Sequence, residues 1–159
     1  MKIVVDCERI RQNTAAVVKM CAPQNIAVVG VTKACCGHPE VARAILAGGA
    51  GLLADSRLKN IRRLRAAGIR SEIMLLRLPA LSQVDEVVKL TQISLNSQVE
   101  TVRALSRAAQ AQDINHRVIL MVETGDRREG LMPEQALDAA VLAEAPVQCD
   151  EYALEASGN

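Results

Sequence analysis

The sequence predicts an α/β fold of about five strand-helix units. Three observations carry that expectation. Short aliphatic runs alternate with helix-patterned segments along almost the whole chain, as in a βαβα arrangement with a parallel sheet. The runs IAVVGV, IMLLRL and VILMV are continuously apolar, the form that parallel strands take when both faces are covered. Run starts at residues 26, 51, 72, 92 and 117 recur at roughly the 20–30 residues of one βα unit, and the rhythm allows a sixth at Pro146–Cys149.

The expected strands are Ile26–Thr32, Gly51–Ala54, Ile73–Arg77, Gln92–Asn96 and Arg117–Glu123. Helix signals separate them. Asp6 is placed to N-cap a helix burying Ile10, Val17, Val18 and Cys21. Pro39 suits the first turn of a second helix, with Val41, Ala42, Ile45 and Leu46 on one face and Gly48-Gly49 as its stop. Ser56 reads as the cap of a third helix bearing Leu58, Ile61 and Leu64 and ending at Gly68. Ser82 with Asp85, and Ser97 with Glu100, have capping-box spacing ahead of the stripes Val84, Val87, Val88 and Val102, Leu105, Ala109. Pro133 opens a last helix containing Leu137, Ala140 and Val141, while 147–159 forms a tail beyond a domain at 1–146. Two architectures accommodate this order: part of a (β/α)8 barrel, whose eight units need about 200 residues or more, or a five-stranded doubly wound sheet of flavodoxin-like order.

Composition narrows the function. The 159 residues are 50% hydrophobic and 23% charged, which fits one globular domain or a piece of a larger one and excludes disorder. With no Trp, no Phe and Tyr152 as the single Tyr, the chain lacks stacking platforms for single-stranded nucleic acid. A net charge of +1 provides no field that gathers polyanions or anionic membranes. Small molecules or other proteins are the expected partners. The N-terminal apolar run breaks at Asp6 and no run reaches the ~18 residues of a membrane span, so a cytoplasmic chain is expected. Cys7, Cys21, Cys35, Cys36 and Cys149 contain no CxxC pair and fit reduced thiols. Cys35, Cys36 and His38 lack a second ligand cluster, so no metal is expected.

In parallel α/β folds chemistry gathers at the carboxyl ends of strands. There the sequence places Thr32-Lys33-Ala34-Cys35-Cys36-Gly37-His38, Asp55-Ser56-Arg57, Arg77, Asn96-Ser97 and Glu123 through Gly130. Lys33 shares strand parity with Ala27, Val29 and Val31, so a packed interior on that side brings its amine to the top of that interior. A partly desolvated lysine is a candidate imine-forming nucleophile, and an arginine of the Arg127-Arg128 pair suits a cofactor oxygen. Neither GxGxxG nor GxxxxGK[ST] is present, which disfavours nucleotide binding by those routes.

The segments GVTKACCGHPEVARAIL, LLADSRLKNIRRLRAAGI, IMLLRLP, ISLNS and ILMVETGDRREGLMP, in this order, resemble the N-terminal barrel domain of the alanine racemase superfamily, particularly its ornithine-racemase-like branch. The resemblance covers about residues 1–145 and implies the barrel alternative, in the form of pyridoxal 5'-phosphate (PLP) enzymes of fold type III. It implies that Lys33 holds PLP as an imine and that Arg128 approaches the phenolic oxygen of the cofactor; at the same rim Asn96, with Thr32 and Ser97, is placed to donate compensating hydrogen bonds. The implied reaction is racemisation of a free amino acid, with Lys33 as base on one face, in a homodimer. In the family the phosphate anchors, the partner of the ring nitrogen and an opposite-face tyrosine come from later sequence or a second domain, so little catalysis is expected of this chain alone. The alanine-racemase tyrosine four residues after the lysine is replaced by Gly37.

Overall fold

The computed structural model describes residues 4–125 and 127–135. The expected sixth strand, the tail, and Leu137, Ala140 and Val141 lie outside the described residues. The elements are α1 (Cys7–Cys21), β1 (Val29–Val31), α2 (Pro39–Ala47), β2 (Leu52–Asp55), α3 (Leu58–Ala66), β3 (Ile73–Leu75), α4 (Val84–Leu90), β4 (Ile93–Asn96), α5 (Val99–Ala111) and β5 (Arg117–Leu120). The chain divides into two compact units, Met1–Met74 and Leu75–Asn159. Among the described residues no helix is long and apolar enough to cross a membrane.

In the first unit β1 and β2 pair in parallel, Gly30 opposite Leu53 and Val31 opposite Ala54. The Leu53 N–H donates to the Glu72 carbonyl at 3.1 Å, which lays the start of β3 along β2. In a flavodoxin-like sheet β2 is an edge and β3 lies beside β1. The order here follows the chain, β1-β2-β3, and so the doubly wound alternative fails. Leu53, Ile61, Leu64 and Ile73 are fully buried and form the aliphatic core. Gly30 lets α2 settle on the sheet: a Cβ there would lie 2.2 Å from Ile45 Cγ2.

Three expectations for this unit are corrected. Only Val29–Val31 forms the first strand, because pairing with β2 starts beyond Gly51, whose N–H meets the Val28 carbonyl at 3.1 Å, and Ile26 stays exposed. Helix α1 starts at the expected cap, the Asp6 carboxylate accepting the Arg9 N–H at 3.0 Å, yet it buries no residue. Its packing against α2 passes through Gly48, where a Cβ would meet Thr14 Cβ at 2.5 Å, and this leaves Val17 and Met20 exposed. The face bearing Val29 and Val31 is not a packed interior: Val31 is 44% exposed, while Gly30 on the opposite face is buried under α2.

In the second unit β4 and β5 pair in parallel, from Ile93 opposite Arg117 to Asn96 opposite Leu120. Helix α4 buries Val84, Val87 and Val88, and α5 buries Thr101, Val102, Leu105, Ala108 and Ala109, which are the expected stripes with additions. The fifth strand stops at Leu120 because β4 ends at Asn96, and Met121–Glu123 pairs instead with the returning Leu131.

The serine caps are not used. Helices α3, α4 and α5 start after Arg57, Gln83 and Gln98, and none of these makes a side-chain cap bond. Before α3 the Asp55 carboxylate takes the Arg57 N–H at 3.0 Å. Before α4 a 3-10 turn at Leu81–Gln83 intervenes, and before α5 an extended Gln98 carries the chain past Ser97.

Candidate active site

Lys33 belongs to the first unit, and Asn96 and Arg128 to the second. Lys33 opens a 3-10 turn, Lys33–Cys35, directly after β1, and its side chain is exposed. The Thr32 carbonyl accepts the N–H groups of Cys35 at 3.2 Å and Gly37 at 3.1 Å, together with the Cys35 Sγ–H at 3.1 Å. The Lys33 carbonyl accepts the Cys36 N–H at 3.2 Å, and the Cys36 carbonyl accepts Arg63 Nη1 at 3.0 Å. Such a turn closes only with left-handed backbone at its end, which Cys36 (φ 53°) and Gly37 (φ 62°) supply. The backbone beneath Lys33 is therefore fixed, while its amine makes no ion pair among the described residues.

Beneath the turn lies a buried polar cluster. Thr32 Oγ donates to Asp55 Oδ2 at 2.8 Å, and Asp55 Oδ1 accepts the Arg57 N–H at 3.0 Å and Asn60 Nδ2 at 2.9 Å. Asp55 stands among the strand-end residues in the sequence. Its partnership with Thr32 was hidden there because it depends on the β1–β2 register, which a single strand does not encode.

In the second unit Asn96 ends β4 but is fully buried rather than presented at a rim. Its Nδ2 donates to Ser94 Oγ at 2.9 Å and the Ser94 carbonyl at 3.1 Å, while Oδ1 has no hydrogen-bond partner among the described residues. Ser94 Oγ also lies 2.8 Å from His116 Nε2, and His116 Nδ1 lies 3.2 Å from the Thr91 carbonyl. Because a carbonyl can only accept, Nδ1 carries the proton and Nε2 accepts from Ser94. The proton directions run from Asn96 through Ser94 to His116. Burial pushes the His116 pKa down to about 4, aided by Arg117 and opposed by the bond to Thr91. Sequence reading passed over His116, which lies between strands in no motif.

Arg128 is exposed on the loop after β5. The Glu123 side chain accepts the N–H groups of Gly125 at 2.5 Å and Arg127 at 3.0 Å, bonds that hold its carboxyl below the usual range. The loop closes where the Glu123 N–H meets the Leu131 carbonyl at 2.8 Å and the Leu131 N–H meets the Met121 carbonyl at 2.8 Å. At Gly130 (φ 146°) a Cβ would fall 2.6 Å from the Glu123 nitrogen, so the loop needs glycine there.

A parallel βα chain carrying an exposed lysine on a fixed turn after its first strand matches a known class. The family profile described as the N-terminal domain of alanine racemase matches residues 5–154, and the chain belongs to that family. Its members are PLP-dependent and share the (β/α)8 barrel, of which this chain holds the first units. Among curated relatives, the lysine racemase of Thermotoga maritima is 33% identical over 137 residues, 86% of this chain and 39% of that protein. The ornithine racemase of Acetoanaerobium sticklandii is 33% identical over 136 residues, 86% of this chain and 38% of that protein. The chain thus spans about two fifths of the length of these relatives. Among solved structures, alanine racemase from E. faecalis aligns with TM-score 0.72 and 26% identity over 95% of this chain and 41% of that one. Alanine racemase from Streptomyces lavendulae aligns with TM-score 0.78 and 27% identity over 89% and 38%.

The donor set fits PLP in its covalent half. A lysine amine with no ion pair among the described residues suits a cofactor aldehyde, and an exposed guanidinium suits an anionic oxygen.

Proposed function

We propose that this chain carries the cofactor lysine of a PLP-dependent racemase acting on a free amino acid, with basic amino acids such as lysine and ornithine as the substrate class. The single observation that carries the reading is Lys33, exposed at the carboxyl end of β1 on a turn closed by backbone hydrogen bonds to the Thr32 and Lys33 carbonyls. The substrate class draws support from the relatives, named lysine racemase and ornithine racemase.

When bound, PLP supplies an electron sink that acidifies the Cα–H of the amino acid. In this reading Lys33 has two duties: its amine anchors the cofactor, and once released it takes or returns the Cα proton on its own face. Arg128 offers a fixed cation to the phenolic oxygen of the cofactor.

Borohydride reduction of the chain with PLP, followed by peptide mapping, tests the anchor. Label concentrated on Lys33 and lost in Lys33→Ala is expected. Equal label on Lys19, Lys59 and Lys89 would remove the assignment. Deuterium exchange at Cα of lysine and ornithine, followed by NMR with saturating PLP, tests the reaction. Exchange well above that of free PLP and abolished by Lys33→Ala supports racemase chemistry, whereas selective label without exchange makes the chain a carrier of the cofactor.

A further inference from the structure

We infer that Asp55 is a positioning residue for Lys33, holding both ends of the turn that carries the amine; this rests on the reading of Lys33 as the cofactor lysine. Asp55 ends β2 and is 0% exposed. A carboxylate buried to that degree needs donors on both oxygens, and here it has three: Thr32 Oγ at 2.8 Å, the Arg57 N–H at 3.0 Å and Asn60 Nδ2 at 2.9 Å. Two of these donors belong to the walls of the Lys33 turn. Thr32 is its root, since its carbonyl receives Cys35 and Gly37. Asn60 is its far wall, since a Cβ on Gly37 would lie 2.8 Å from Asn60 Cβ and 2.9 Å from the Asn60 carbonyl oxygen. One side chain therefore fixes the segment before Lys33 and the surface on which the segment after it rests.

The network contains no contact with the Lys33 amine, so Asp55 acts on the site through Thr32 and Asn60. Removing its carboxylate strands the buried Asn60 amide, takes the acceptor from the part-buried Arg57 N–H and leaves Thr32 Oγ only the Ala54 carbonyl, at 3.2 Å. That last acceptor also predicts which substitution is tolerated. In Asp55→Asn the retained oxygen can still receive Arg57 and Asn60, and the introduced amide can donate to Thr32 Oγ while the Thr32 proton turns to Ala54.

Two readouts on the full chain test this: amide hydrogen exchange at Cys35 and Gly37 by NMR, and the rate of borohydride labelling at Lys33 with PLP. Asp55→Ala should raise exchange at both amides by roughly tenfold or more, the scale of one lost buried hydrogen bond. The α5 amides should be unchanged, and Lys33 labelling should fall toward that of Lys59. Asp55→Asn should restore both. If Asp55→Ala does not fold, Thr32→Val removes the Thr32 link alone and should shift both readouts in the same direction by less. An Asp55→Ala chain that exchanges and labels like the wild type overturns the inference, as does a folded Thr32→Val chain without any shift. A wild-type chain that never labels Lys33 selectively overturns the functional reading first, and this inference with it.

Discussion

Gly37 shows how tightly the turn is drawn. It takes φ 62° and faces Asn60 at distances no Cβ can occupy. Gly37→Ala therefore meets a left-handed backbone penalty of roughly 1–2 kcal/mol and an overpacking penalty of about 1–3 kcal/mol. A loss of about 2–5 kcal/mol is expected, read as a lower urea midpoint with unchanged slope. The tyrosine that the alanine-racemase resemblance places at this position, replaced here by Gly37, would have no room in this turn. Gly130→Ala should similarly unseat the loop bearing Arg128, because its Cβ would meet the backbone nitrogen of Glu123 at 2.6 Å. Loss of amide protection at Glu123 and Leu131 would report it. Lys33 and Arg128 stand out in the sequence because both follow apolar runs within segments that resemble a family. Asp55 and His116 were not legible as network members, since their partners lie 23 and 22 residues away along the chain.

At the scale of elements, helices of similar pattern carry unequal weight. Leu105 on α5 is almost fully buried, and Leu105→Ala should cost about 2–5 kcal/mol. Helix α1 buries nothing, so Val17→Ala should change stability by less than about 0.5 kcal/mol. Asp6→Ala, which removes the one side-chain N-cap bond among the five described α-helices, should cost about 1 kcal/mol. Denaturant melts of the three variants give the ranking, and a Val17→Ala loss matching that of Leu105→Ala would contradict the burial of these helices. The stripes on α4 and α5 were readable because helical period alone decides which residues share a face. The burial of α1 was not, because an apolar stripe says only what can be covered. Gly48 decides how α1 meets α2.

For the whole molecule, the acid response follows from His116. Its folded pKa of about 4 lies below the ordinary histidine value of 6.5, so the unfolded chain binds the extra proton between those values. Stability should be fully present above pH 6.5, fall as pH drops toward about 4, and lose roughly 3 kcal/mol from this group at the lower limit. Glu8 and Glu123, both held below the usual 4.5, add their losses only at more acid pH. Urea unfolding at pH 7, 5.5 and 4 measures the slope, which His116→Gln should flatten; an unchanged slope would mean that His116 is not the titrating group. By itself the sequence determined the βα rhythm, the apolar faces of the helices and, through five linked segments, the family. These follow from local order, since side-chain period and strand-end motifs are written along one stretch of chain. Only the tertiary structure decided the strand order β1-β2-β3, the burial of Asn96 with Ser94 and His116, and the tie from Asp55 to the lysine turn. Each depends on which strand lies beside which and in what register, and hydrogen bonds between separate segments settle that.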